Sequence, residues 1–406
     1  MHVLGLIVEY NPFHNGHLYH LTMSKKLTGA THVVAVMSGN FIQRGEPALV
    51  DKWARCKMAL FSGVDLVIEL PAVYAVQSAE IFAYGAIKLL NETRIVDSIC
   101  FGSESGDIQA LKKAAEILAY ENPSFKDSVK KHLKRGVSFP VARQLALQES
   151  VDGVHQILST PNNILAVEYL KNLIRLNSNV KPYTIKRISS GYHDVEISHI
   201  SSATAIRNAL KKGHVDHVKG TMPDTCYSVL VEQFRKGKGP VFMENFEALI
   251  FFVLRRSSEK ALRAIQDVSE GLENRLLKCS RETGELSALI NQIKTKRYTM
   301  TRINRILIHA LLGMEKRQLN TFNDNGGPQY IRVLGFNEKG RELLKLIKKN
   351  SPLPIISNIG DISKYPEPTR SMLEIEAKAT DLYVLGFKNP EEKRAGRDQT
   401  ASPIII

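Results

Sequence analysis

Cysteine is scarce in this chain and badly spaced for any scaffold. Cys56, Cys100, Cys226 and Cys279 are scattered through 406 residues, with no CxxC and no His/Cys cluster of zinc-finger spacing. That excludes a disulfide framework and leaves four reduced thiols as the expectation. Long apolar runs are missing as well. The longest, Ala248 to Leu254, is far too short to span a bilayer, and Glu9 interrupts the first one before a secretory leader could form. We therefore expect a cytoplasmic protein with no membrane partner. Acid is in deficit, 41 Asp and Glu against 55 Lys and Arg, giving a formal charge of +14 and a pI near 9.5. Such an excess says nothing about fold but favours a polyanionic partner, nucleic acid or an anionic membrane surface. Neither a fixed-period repeat nor a long low-complexity stretch occurs.

What is present is alternation. "HVLGLIVEY" reads as a short buried strand, followed by a helical stretch from Asn15 to about Lys26. "THVVAVMSG" and "VDLVIELP" repeat the strand pattern, with a helix over "LVDKWARCKMALFSG" between them. A helix over Val76–Leu90, a fourth strand "VDSICFGS" and a helix over "DIQALKKAAEILAY" follow. In "STPNNILAVEYLKNL", Thr160 is the expected N-cap and Pro161 the first helical residue. "PYTIKRISS" reads as a fifth strand, ending at Arg187–Ile188. Strands alternating with helices imply an α/β fold with a doubly wound parallel sheet, whose ligands bind beyond the carboxyl ends of the strands. We place this domain at 1–215, a linker containing "RKGKGP" at 216–240, and a mainly helical domain at 241–406, in which "ALIFFVLRR" is a core helix. "KNPEEKRAGRDQTASP" reads as a polar, mobile tail.

The first strand runs into "NPFHNGHLYH", residues 11–20. His14 and His17 lie three apart at a helix start, on neighbouring parts of one turn. Gly16 between them removes a side chain where a phosphate or base would approach the backbone. Free N–H groups and the positive end of the helix dipole make this an anion site. The same histidines could instead cap and pack the helix start. With His20 they could also ligate a metal, but zinc would need a further ligand, and no Cys or His stands ready to supply it. We expect no metal site. A second stretch, "ISSATAIR" at 200–207, enters a helix after the fifth strand. Ser201, Ser202 and Thr204 offer hydroxyl and backbone donors there, and Arg207 sits a turn further in. A serine-rich N-cap with a solvated Arg is the alternative. Two such starts in one α/β domain specify more than either alone.

"HNGH" looks like the HxGH signature of the nucleotidyltransferase superfamily, and "ISSATAIR" resembles its second signature. The longer blocks "GLIVEYNPFHNGHLYHL", "VMSGNFIQRGEPALVDKWARCKMAL", "GVDLVIELP" and "FGSESG" are similar to the bacterial tRNA(Met) cytidine acetate ligases. The likeness is dense over the N-terminal half and looser beyond it. It implies an ATP-dependent ligase that activates acetate as acetyl-adenylate, releasing pyrophosphate. The acetyl group then goes to N4 of the wobble cytidine of elongator tRNA(Met), giving N4-acetylcytidine. Carried over by position, the ATP site comprises Ile7, Val8, Glu9, Tyr10, Asn11, Pro12, Phe13, His14, Asn15, Gly16, His17, Leu18, Tyr19 and His20, with Gly102, Asn162, Arg187 and Ile188. His14 and His17 take the catalytic role of stabilising the leaving pyrophosphate. Ser201, Ser202, Thr204 and Arg207 hold the triphosphate from the other side, and Mg²⁺ accompanies ATP.

For the RNA, the resemblance and the charge point the same way. The strand-two loop brings Arg44 and Arg55. "KTKRYTMTRINR" carries Lys294, Lys296, Arg297, Arg302 and Arg305 around Tyr298 with no acid, as a basic helical stretch suited to an RNA backbone. The helical half is thus the expected tRNA-binding domain. Two other readings stay open: a small-molecule adenylyltransferase of the same superfamily, and a non-catalytic RNA-binding protein on a relic nucleotide fold. Self-association is not legible.

Overall fold

The computed structural model describes residues 1–137, 139–150, 158, 160–187, 201–269, 271–295 and 297–406. Strand β1 (Val3–Val8) pairs in parallel with β2 (His32–Ser38) on one side and with β6 (Ser98–Ser103) on the other. A short hairpin, β3 (Phe41–Ile42) and β4 (Glu46–Pro47), follows β2. β5 (Leu66–Leu70) lies parallel outside β2, and β7 (Lys181–Lys186) parallel outside β6. The β2 and β5 segments "HVVAVMS" and "LVIEL" are buried along their whole length, as central parallel strands must be when helices cover both faces. Their residues divide by the two-residue period of a strand. Val33, Ala35 and Met37 enter one core, and Val34 and Val36 the other.

The resulting order β5-β2-β1-β6-β7 runs outward from β1, then returns across it. The reversal falls between β1 and β6, which opens a crevice beyond their carboxyl ends. Helix α1 (Asn15–Thr28) leads out of β1 and stops at Gly29, whose φ of 67° is the left-handed conformation of a helix C-terminus. Helix α2 (Lys52–Phe61) is capped by Asp51, whose side chain accepts from the Ala54 N–H at 2.8 Å. The helix Ala79–Glu92 joins β5 to β6, and the helix Pro161–Arg175 leads into β7.

Beyond residue 215 the expected core helix is present, and the structure departs from the sequence expectation in three places: the linker, the sheet and the tail. Residues 216–240 carry the helix Asp224–Arg235, which buries Cys226, Val229 and Leu230 in the core around α2 rather than serving as a linker. "ALIFFVLRR" forms the helix Glu247–Arg256 with Ile250, Phe251 and Leu254 inside, while Phe252 is 58% exposed beside the Arg256 guanidinium. Helices continue through Lys316–Asp324, but the chain then rejoins the sheet. β8 (Ile331–Phe336) pairs antiparallel with β5, and β9 (Ile355–Ile356) and β10 (Ile404–Ile405) pair with β8. The chain beyond residue 330 is therefore threaded back into the sheet begun by the N-terminal strands.

The polar tail is anchored too. Asp398 is fully buried, with its carboxylate 2.9 Å from Lys52 Nζ, and Arg397 reaches Asp51 at 2.7 Å. Lys52 also meets Glu69 at 2.7 Å, and Arg332 approaches Asp398 at 3.6 Å. Glu376 also approaches Lys52 at 3.6 Å, so three acids share two bases, and burial with Glu376 alongside raises the Glu69 pKa well above the usual range. Removing Lys52 would leave the acids uncompensated.

Candidate active site

Residues 7–20 run from the end of β1 through a turn into α1, at the crevice. The start of α1 is built from its own histidines. His14 is the N-cap, and its Nδ1 accepts from the Gly16 N–H at 3.1 Å. The backbone N–H of His14 in turn donates to His17 Nδ1 at 3.3 Å. The two rings stack with centroids 3.7 Å apart and planes 27° from parallel, and the Tyr10 ring meets His17 edge-on at 5.0 Å.

Both Nδ1 atoms act as acceptors, so each neutral imidazole carries its proton on Nε2. Neither Nε2 has a hydrogen-bond partner among the described residues, so each offers one N–H to a ligand. Burial, with Arg187 nearby, pushes His14 and His20 down to about 4 and His17 well below the usual histidine range. The capping reading holds, and it leaves each Nε2–H without a partner among the described residues, as the anion-site reading requires.

The second signature comes directly onto this turn. Asn11, 5% exposed, uses its Oδ1 to accept from the Leu49 N–H at 2.7 Å and from Arg207 Nη1 at 3.2 Å. Arg207 also pairs with Glu46 at 3.3 Å and lies over the Phe242 ring at 5.4 Å. Burial lowers its pKa against the pull of Glu46. Ser202 caps the helix Ala203–Lys211 by accepting from the Ala205 N–H at 3.2 Å, which leaves its hydroxyl hydrogen to donate. Ser201 is buried and Thr204 exposed. Ile200 and Ile188 lie outside the described residues.

On the β6 side, Gly102 is paired with Ile185 of β7. A Cβ on Gly102 would stand 3.1 Å from Arg187 Cγ, so the glycine lets Arg187 lie across the strand end. Arg187 Nη1 donates to Asn162 Oδ1 at 3.4 Å. The helix carrying Asn162 does begin after Thr160, but Thr160 makes no side-chain cap hydrogen bond. The cap is Glu104, two residues past Gly102, whose carboxylate accepts from the Asn163 N–H at 2.8 Å and from Asn162 Nδ2 at 2.6 Å. Sequence reasoning missed Glu104 although it stands inside the quoted "FGSESG". An acid just past a strand end, opposite an Asn-Asn helix start, is the signal that could have found it.

The strand-two loop closes one wall. Gln43 donates its backbone N–H to Glu9 Oε1 at 2.8 Å and its side-chain N–H to the Gln77 carbonyl at 3.0 Å. Burial raises the Glu9 pKa against that hydrogen bond and the charges of Arg44 and Arg55. At the hairpin tip Gly45, with φ of 76°, packs on the backbone of Asn304–Arg305, where a Cβ would come within 2.2 Å of the Arg305 nitrogen.

The expected RNA contacts divide. Arg44 is exposed on the hairpin tip, and Lys294 and Arg297 are exposed between the helices Leu286–Ile293 and Met300–Leu312. That part of the basic stretch is a connection, not a helix, and Lys296 lies outside the described residues. Arg302 is half-buried and bonded to the Asp267 carbonyl and Ser269 Oγ. Arg305 and Arg55 do not fit the expectation. Arg305 is 9% exposed and ion-paired to Asp267 at 2.8 Å. Arg55 is fully buried and donates to the carbonyls of Glu9 (2.7 Å), Ser38 (3.0 Å), Val50 (3.2 Å) and Gly39. A guanidinium spent on four carbonyls ties the ends of β1 and β2 together and has no face left for RNA.

A doubly wound sheet with an HxGH helix start at its switch point is the architecture of the HIGH nucleotidyl transferases, and the family model described as HIGH Nucleotidyl Transferase matches residues 1–398. The chain is 48% identical, over the full length of both, to the tRNA(Met) cytidine acetate ligase of Acetivibrio thermocellus. It is 49% identical over 96% of both chains to that of Thermoanaerobacter sp. strain X514. Among solved structures, Thermotoga maritima TmcAL bound with α-thio-ATP is 39% identical and superposes over the full length of both chains with a TM-score of 0.94, and its apo form with 0.96. The chain belongs to the tRNA(Met) cytidine acetate ligase family.

Proposed function

We propose that this protein activates acetate with ATP and transfers the acetyl group to N4 of the wobble cytidine of elongator tRNA(Met). The observation that carries the reading is the 3.2 Å hydrogen bond from Arg207 to Asn11, which brings the two phosphate-binding helix starts to one crevice. ATP lies there, with its triphosphate between His14–His17 and the Ser201–Arg207 start. The α-thio-ATP held by the Thermotoga relative supports the choice of nucleotide.

An acetate oxygen attacks the α-phosphorus, and the bond from that phosphorus to the bridging oxygen breaks. Pyrophosphate leaves with the electron pair. Most of the rate in such a transfer comes from positioning and from donors aimed at developing charge. The Nε2–H groups of His14 and His17 and the guanidinium of Arg207 supply those donors. The cytidine N4 lone pair then attacks the acetyl carbon, the carbon–oxygen bond to AMP breaks, and the amine proton passes to solvent. An anticodon base is already single-stranded, so bringing it to the site costs little.

No group of three or more His, Cys, Asp or Glu among the described residues could hold a metal ion. Mg²⁺ enters on the triphosphate as part of the substrate rather than in a protein cage. The exposed Arg44, Lys294 and Arg297 are the side chains we assign to tRNA. Among the described residues no helix is long and apolar enough to cross a membrane. We place the reaction in the cytoplasm, where tRNA is found. The test is mass spectrometry of tRNA(Met) from cells lacking the protein. N4-acetylcytidine should vanish from the wobble position and return on complementation, and its persistence would refute the assignment.

A further inference from the structure

Glu104 is held more firmly than a surface turn requires. Its Oε2 accepts from the Asn163 N–H at 2.8 Å, and its Oε1 accepts from Asn162 Nδ2 at 2.6 Å and from the Asn162 N–H at 3.3 Å. The embrace is mutual, because Asn163 Oδ1 accepts from the backbone N–H groups of Glu104 at 2.9 Å and Ser105 at 3.2 Å. The turn after β6 and the start of the helix Pro161–Arg175 are thereby fixed to each other, and Asn163 is 2% exposed. Burial works to raise the Glu104 pKa, but the hydrogen bonds from Asn162 and Asn163 outweigh it and hold the carboxyl below the usual range. The group is ionised at neutral pH.

This fixes the polarity of Asn162. Its NH₂ is committed to the carboxylate, so its Oδ1 turns away, toward Arg187 Nη1 at 3.4 Å. A flipped amide would set an oxygen against the carboxylate, two acceptors in contact with no proton between them. Asn162 therefore presents an acceptor beside Gly102 and Arg187, and the group it can receive is a hydrogen-bond donor, which a nucleoside has and a phosphate oxygen lacks. We propose that Glu104 is a positioning residue for the nucleotide. Acting through Asn162, it sets the acceptor that the nucleoside portion of ATP meets and holds Arg187 alongside. The proposal rests on the reading of this crevice as the ATP site.

The test is a double-mutant cycle on ATP affinity, read by calorimetry on the full chain. Glu104→Gln replaces one acceptor oxygen with a donor nitrogen, and it should weaken ATP binding about tenfold, the scale of one hydrogen bond to a charged group. Asn162→Ala should weaken it similarly. The double variant should be no weaker than Asn162→Ala alone, since Glu104 acts only through that side chain. In pyrophosphate exchange, the KM for ATP should rise in Glu104→Gln while the KM for acetate stays put. Additive losses would assign Glu104 a general structural role and overturn the proposal, as would an unchanged ATP affinity in Glu104→Gln. Should Glu104→Gln fail to fold, Glu104→Asp, which keeps the charge on a shorter arm, carries the same cycle. Exchange by the wild-type protein reports on the proposed function separately. Absence of acetate-dependent exchange would sink that function, while the calorimetric cycle would still decide the role of Glu104.

Discussion

Replacing Arg55 with methionine removes a charge that the sequence places in a basic loop and the structure places in the core. The side chain is fully buried and donates to four backbone carbonyls, those of Glu9, Ser38, Gly39 and Val50. Methionine is apolar and replaces only the aliphatic stem, so all four acceptors lose their donor and a void remains where the guanidinium lay. Each buried carbonyl left without a partner costs about 1–3 kcal/mol. The guanidinium's own desolvation cost disappears with it, and the surrounding turns relax in part. The net loss should be about 3–5 kcal/mol, the range found when a buried polar network is broken. With a urea dependence of about 3 kcal/mol per molar, the unfolding midpoint should fall by roughly 1–1.7 M. Because Glu9 and Gly39 follow β1 and β2 directly, acetate-dependent exchange should fall together with stability. Arg55→Lys should recover only part of the loss, since an ammonium cannot fork to several carbonyls. Wild-type urea stability in Arg55→Met, combined with weakened tRNA binding, would refute the reasoning and return Arg55 to the RNA interface.

Three further outcomes are expected. His14 and His20 titrate near 4 in the folded protein, and His17 lower than usual. Between about pH 6.5 and 4 the unfolded chain binds protons that the folded one refuses. The stability from this source is therefore complete above pH 6.5 and is lost on acidification, on the order of 3 kcal/mol for His14 by pH 4. Urea midpoints across that range, with imidazole NMR titrations, check this, and signals of His14, His17 or His20 moving near pH 6.5 would contradict it. Neutralising Lys294, Lys296 and Arg297 together should weaken tRNA binding and lower the slope of log K against log salt by about 2–3, while leaving acetyl-adenylate formation intact. An unchanged slope would remove that segment from the interface. A zinc chelator should leave activity unchanged, and loss of activity restored specifically by zinc would revive a metal role for the three histidines.

The N-terminal architecture was legible because its signals are local. "HVVAVMS" and "LVIEL" are strands by their continuous apolar character, and a Gly or an N-cap residue marks where each helix turns. The histidine cluster was legible for the same reason, since helix-start chemistry lies within a few residues. What escaped depends on partners far along the chain. Nothing in "YIRVLGF" says that its strand will pair antiparallel with β5, and nothing in the polar run around Asp398 says that Lys52 waits for it inside the fold. Arg55 and Arg305 read in sequence as exposed charges facing RNA. Burial is decided by what folds over them, which for Arg305 is Asp267 and the glycine tip of the β3–β4 hairpin. Glu104 hides in a turn-like "SESG" until the helix Pro161–Arg175 is brought across to it.

The central claim, that a triphosphate lies between Asn11–His20 and Ser201–Arg207 and is cleaved to activate acetate, is tested most directly by exchange of labelled pyrophosphate into ATP without tRNA. The account predicts label in ATP only when acetate is present, with exchange abolished in His17→Ala and Arg207→Ala proteins that still fold. Exchange independent of acetate, or wild-type exchange in both variants, would contradict it.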